Sequence, residues 1–163
     1  MVALEEEIGT AIEITGIYWH RGPMGSSSGE FGDFNIFMGQ CIIDSLDTVF
    51  DENWLPYSMM QVFSRETVLL DVDAEEWFGF RLDSTYFYDG KYDLLIEVSW
   101  VGGSGSMQTY LSDTGDPPLC LKSSTSDSPS GYMAAPRCQF MLEGVLLPDY
   151  LDFLDSLATV GPM

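Results

Sequence analysis

His20 is the only histidine in the chain. A Ser-His-Asp or Cys-His arrangement for nucleophilic attack would rest on it entirely, since such nucleophiles need an adjacent general base. It follows Trp19 at the end of an alternating apolar run, which reads as a surface or interface histidine rather than a base. No GxSxG elbow, P-loop or dinucleotide glycine fingerprint occurs. Paired carboxylates could serve glycoside hydrolysis. With 26 acidic residues, however, some pair meets by chance, and spacing singles out none. The expectation is a non-enzymatic protein with no catalytic residue.

Other chemistry is written in acids, aromatics and cysteines. Asp44, Asp47, Asp51 and Glu52 form one acidic cluster, and Asp71, Asp73, Glu75 and Glu76 another. Oxygen ligands of this kind suit Ca²⁺, although neither cluster has EF-hand spacing. Calcium is the one cofactor suggested, held by Asp44, Asp47, Asp51, Asp71 and Asp73; solvated acidic loops are the competing reading. Sugar rings present apolar faces to aromatic planes, which makes Trp19, Trp54, Tyr57, Tyr86 and Tyr88 candidate ligand contacts. Core packing is the alternative for each. Of the three cysteines, Cys120 and Cys138 flank a Ser/Pro/Gly-rich stretch. A disulfide there would close a loop of about 19 residues and contribute roughly 3 kcal/mol in the chain-entropy model. Cys41 precedes Ile42-Ile43 and is expected to be a buried free thiol. No CxxC or His-Cys spacing suggests zinc.

The bulk of the chain bounds these readings. Its 163 residues suit one domain, and 45% hydrophobic with 13% aromatic content argues against disorder. Six basic residues against 26 acidic give a formal net charge of −20. That field excludes nucleic acid and anionic membranes as direct partners. It fits a solvated acidic surface, a salty or calcium-rich exterior, or a basic partner. No apolar run approaches the roughly 20 residues of a membrane span. Met1-Val-Ala-Leu runs straight into Glu5-Glu6-Glu7, the wrong sign for a secretory leader.

The elements that must position these residues are strands. Leu94, Ile96, Val98 and Trp100 share one face of residues 94–101, and Leu95, Glu97, Ser99 and Val101 the other. That is the period of a half-buried strand. Phe78, Phe80 and Leu82 alternate in the same way. Asp89-Gly90 supplies a turn between the two runs, with a connection too long to force them into one hairpin. In residues 10–20 the apolar phase moves from Ile12 and Ile14 to Ile17 and Trp19 across Gly16, which predicts a β-bulge. Residues 21–33 read as a Gly/Ser surface loop, 34–38 as a buried strand, 44–58 as a polar-aromatic connection, and 61–63 and 67–72 as further strands. Residues 102–106 read as a flexible loop, 107–111 and 119–122 as short strands, and 137–142 as a closing strand with Cys138, Phe140 and Leu142 on one side. About eight or nine short strands point to an antiparallel sandwich or jelly roll. The tail changes period: Tyr150, Phe153, Leu154 and Leu157 fall at helical spacing after Pro148, predicting a short amphipathic helix. The expected organisation is a β-sandwich over residues 1–146 and a helical tail over 147–163, with the tail available for assembly.

Several segments together resemble a jelly-roll-like β-sandwich domain common in secreted and cell-surface proteins of bacteria. They are Ile12 to Trp19, Phe34-Asn35-Ile36-Phe37-Met38-Gly39, Phe50-Asp51-Glu52-Asn53-Trp54, Val62-Phe63, and Trp77 to Leu82. The last is Phe87-Tyr88-Asp89-Gly90 leading into Asp93-Leu94-Leu95-Ile96-Glu97-Val98, with Asp93 where that family usually has Asn. The resemblance covers residues 5–115 and leaves 116–163 unexplained. It implies an extracellular accessory domain in a mature or trimmed form, without a catalytic constellation. The functional expectation is a structural protein that self-assembles into a surface assembly or filament. The alternative is a carbohydrate-binding or adhesive module. Expected partners are other copies of the chain or an extracellular glycan.

Overall fold

The computed structural model describes residues 1–42, 46–105, 107–113, 120–123, 128–134 and 136–147. In chain order the elements are β1 (Val2–Ala3), α1 (Glu5–Ile8), β2 (Ile12–Gly25), β3 (Ser28–Cys41), a 3-10 turn (Phe50–Asn53), β4 (Met60–Asp71), β5 (Trp77–Tyr88), β6 (Asp93–Ser104), β7 (Met107–Thr109), β8 (Leu111–Asp113), β9 (Cys120–Lys122), β10 (Tyr132–Ala134), β11 (Pro136–Cys138) and β12 (Phe140–Leu146). One antiparallel sheet has the order β1-β6-β3-β4. The other has the order β12-β2-β5, with β7 beside the end of β2. Two short ribbons, β9–β10 and β8–β11, complete the described structure.

The wrap between the sheets explains the core. β2 lies in the second sheet and β3 in the first; β5 and β6 cross back the same way, so β5 pairs with β2 and β6 with β3. This two-stranded ribbon folded over itself is the construction of a jelly-roll-like sandwich. Inward side chains from both sheets interdigitate: Ile14, Ile17 and Trp19 from β2, Phe34, Ile36 and Met38 from β3, Tyr86 and Tyr88 from β5, Leu94 and Ile96 from β6. Phe34 and Phe63 meet Phe80 of the opposite sheet at ring separations of 5.2 and 4.6 Å. The all-β sandwich is the fold expected from the alternation, and β5 and β6 are indeed not hairpin neighbours. The bulge is also where the phase shift places it: against β12 the pairing slips between Ile14 and Gly16 and leaves Thr15 as the extra residue, while against β5 it slips at the same point with residues 82–85 of β5 opposite Thr15.

Several boundaries differ from expectation. Residues 21–33 are not a loop: β2 runs to Gly25 and β3 starts at Ser28. The two segments 61–63 and 67–72 are one strand, β4, in which a register slip opposite Ile36 and Phe37 lets Val62 and Phe63 both face inward. β6 continues through Gly102 and Gly103 rather than ending in a loop at 102. The segment 137–142 is split at Gln139 between β11 and β12. The expected C-terminal helix, with Tyr150, Phe153, Leu154 and Leu157, lies outside the described residues, as does Asp44. Among the described residues no helix is long and apolar enough to cross a membrane.

The two sides of the sandwich close differently. On one side Arg65 of β4 forms a bidentate ion pair with Asp83 of β5 at 2.7 and 2.8 Å, and the Ser64 amide also donates to Asp83. On the other side β1 covers β6 only at Leu94 and Leu95, with Ile96 and Met1 exchanging a further pair of bonds. Here Arg137 donates to the Val2 carbonyl and to both oxygens of Glu7.

Candidate functional sites

The outer face of the β12-β2-β5 sheet carries an aromatic strip. Register sets His20 opposite Trp77, and Tyr18 opposite Gly79 on one side and Met141 on the other. The His20 ring stacks on Trp77 at 4.8 Å and 7° and meets Tyr110 at 4.6 Å. Nε2 of His20 donates to the Glu75 carbonyl at 3.1 Å, and Nδ1 contacts Gln139 Oε1 at 3.3 Å. Both ring nitrogens are thus engaged, which is the environment of a structural histidine rather than a base beside a nucleophile. Tyr18 lies over the sheet and donates a 2.6 Å hydrogen bond to Glu143, whose other oxygen meets Arg81 at 3.5 Å. The Glu143 carboxylate that accepts this proton holds the Tyr18 phenol above its ordinary pKa. Trp77 remains 46% exposed.

A cavity of about 640 Å³ opens on the inner side of that sheet, against Trp19, Phe78 and Phe80. It lies where β6 runs on beyond its short pairing with β1. Trp19, Phe34, Phe80 and Trp100 form its inner wall, and Phe50, Pro129 and Tyr132 its outer wall. The outer wall is fixed by backbone bonds from Phe50 to Pro129 (3.1 Å) and from Gly131 to Thr48 (2.8 Å). Cys120 and Cys138 also line it. Both carry free thiols in this structure, as does Cys41, where the sequence led us to expect a Cys120–Cys138 bridge. The two cysteines sit on different ribbons, β9 with β10 and β11 with β8, rather than as cross-strand partners. Cys41 is a buried thiol, as expected, and burial pushes its pKa up to about 12.

The other predicted contacts are scattered. Trp19, Tyr86 and Tyr88 are buried core residues, not exposed sugar platforms. Burial pushes the phenol of Tyr86 up to about 12 and that of Tyr88 up as well, and the Tyr88 hydroxyl is spent on the Tyr92 carbonyl. Trp54 packs onto Gly39 and the small cluster around Val2, Cys41 and Leu95. Only Tyr57 is fully exposed, alone in a turn at φ 64°. For calcium, Asp47 caps the Val49 amide at 2.8 Å, Asp51 lies on the cavity wall, and Asp71 ends β4. Among the described residues no three carboxylate, imidazole or thiol groups converge as metal ligands, and Asp44 of the first acidic cluster lies outside them. Tyr18, Trp77 and Tyr110 were absent from the sequence candidates. The signal for Tyr18 and Trp77 was their alternation with Ile17, Trp19 and Phe78, which places them on the opposite face.

No family model matches the chain, and no curated protein or solved structure matches it.

Proposed function

We propose that this chain is a non-catalytic, extracellular structural module that associates with other copies of itself through an open sheet edge. The observation that carries this reading is β12. It pairs with β2 along one side, and no other described strand flanks it. Met141, Val145 and Leu146 on it are 48, 57 and 60% exposed, and Glu143 is its only charge. Edge strands of soluble proteins are ordinarily short, charged or covered, because unpaired N–H and C=O groups template pairing with another chain. Strand addition at such an edge supplies main-chain hydrogen bonds, and its exposed apolar side chains supply packing. The net charge of −20 opposes association until salt screens it. Sedimentation across concentration and ionic strength tests the reading.

A second reading is favoured by the outer strip: a glycan-binding accessory module using Trp77 and Tyr18 as flat platforms beside Glu143, Arg81 and Glu75. Retention on a panel of immobilised polysaccharides, compared with Trp77→Ala, tests it. Loss of retention in the variant supports the platform, and equal retention rejects it.

A further inference from the structure

The cavity beside β6 is a built site that the self-association reading does not use. Its volume of about 640 Å³ falls within the range of small-molecule sites. Its inner wall presents a set of aromatic rings that includes those of Trp19, Phe34, Phe80 and Trp100. The charged side chains on its lining are Asp51, Glu97 and Lys122, and Met1, which carries a terminal amine, also borders it. That amine is already committed to the Ile96 carbonyl at 2.8 Å. Glu97 is different. It lies on the face of β6 away from Ile96 and Val98, borders the cavity where β6 runs on beyond β1, is half-buried, and has the Met1 ammonium as a nearby charge but no hydrogen bond to a described residue. A carboxylate held out of water without a donor is costly, and the cost is relieved by a cation that brings N–H groups to it.

We propose that this cavity binds a small apolar molecule bearing a protonated amine, with its hydrocarbon or aromatic body against the aromatic wall and its ammonium passing β6 beyond the β1 pairing to reach Glu97 on the other face. Aromatic faces attract a cation as well as apolar groups, so wall and carboxylate select the same ligand chemistry. The field of a chain with net charge −20 favours a cation and disfavours the corresponding acid. Burial raises the pKa of the Glu97 carboxyl, with the Met1 amine opposing and Asp51 reinforcing that shift. Amine binding therefore draws on the ionised form and strengthens as pH rises through the titration of Glu97.

The test is a titration of the full chain with phenylbutylamine, phenylbutanol and phenylbutyrate, three probes sharing one body. Trp19 and Trp100 line the cavity, so intrinsic tryptophan fluorescence reports occupancy, and a rise in Tm confirms native-state binding. The amine is expected to bind about tenfold more tightly than the alcohol, the scale of one charge-assisted hydrogen bond, and the acid more weakly than either. Glu97→Gln should bring the amine down to the alcohol's affinity and leave the alcohol unchanged. Leu121→Trp, which fills the cavity from β9, should weaken all three. Should Glu97→Gln fail to fold, the unmodified chain gives the same readout across the acid range, where the amine weakens and the alcohol does not. Saturable binding of none of the probes, a phenylbutyrate affinity equal to that of the amine, or an amine preference that survives Glu97→Gln would each overturn the proposal.

Discussion

The ring of Tyr18 on β2 lies directly against Gly79 on β5. A Cβ at Gly79 would meet the ring's Cδ1 at 2.7 Å and the Ile17 carbonyl oxygen at 2.1 Å. The second contact is backbone, which cannot rotate away. Gly79→Ala should therefore destabilise the fold by roughly 1–3 kcal/mol through overpacking, even though alanine is no worse a strand former than glycine. Urea denaturation measures this. A neutral or stabilising result would mean that β5 does not pass this close to the backbone of Ile17 and Tyr18.

The β12 edge gives a second prediction. Met141→Lys with Val145→Lys places two charges on exposed positions of β12, which no other described strand flanks. The folded monomer should lose no more than about 0.5 kcal/mol per site, as is usual for surface substitutions. Self-association should need a much higher concentration. Sedimentation velocity read beside thermal unfolding separates the two effects.

Cysteine chemistry should follow burial. Cys138 is half-buried, whereas Cys120 and Cys41 are buried, and burial raises the pKa of both. Thiolate is the reactive form, so a raised pKa slows alkylation. Timed iodoacetamide labelling near pH 8 followed by mass analysis should modify Cys138 first and Cys41 last. A Cys120–Cys138 crosslink in the protein as isolated would contradict the free-thiol arrangement.

Two carboxylates should tilt the pH dependence of stability in opposite directions. The hydrogen bonds from Arg137 hold the Glu7 carboxyl below its ordinary pKa. Its contribution is therefore present above the unfolded carboxylate value and lost as pH falls through the folded one. Burial raises the pKa of Glu97, so the folded state binds that proton more tightly. Stability falls as pH rises from the unfolded value to the folded one. Glu7→Gln should thus weaken the protein at neutral pH and match it in strong acid. Glu97→Gln should strengthen it at neutral pH. Urea midpoints from about pH 2 to 7 show both signs.

Much of the fold was legible because alternation is a local signal. Leu94, Ile96 and Val98 face the core as their spacing requires, and the phase shift at Gly16 marks a bulge against β12. What failed was composition. Gly29 and Gly32 made residues 21–33 read as a loop, yet Gly32 is in a strand because β6 runs close beside it: a Cβ there would lie 2.8 Å from the Val101 carbonyl. The binding surfaces were less legible. A tryptophan at 19 and one at 77 look alike in sequence, and only the pairing of β2 with β5 shows that the first is core and the second half-exposed. Leu95 belongs to the nominal outer face of β6 but is buried by Val2 and Trp54, a long-range contact that alternation does not encode.

The most direct test of the central claim is sedimentation velocity of the purified chain over a hundredfold concentration range at low and high salt. The account predicts a monomer at low salt that grows into larger species as salt screens the negative charge, with growth abolished by the paired Met141→Lys and Val145→Lys changes. A strictly monomeric chain at every concentration and salt, or polymers that persist in the doubly substituted protein, would contradict it.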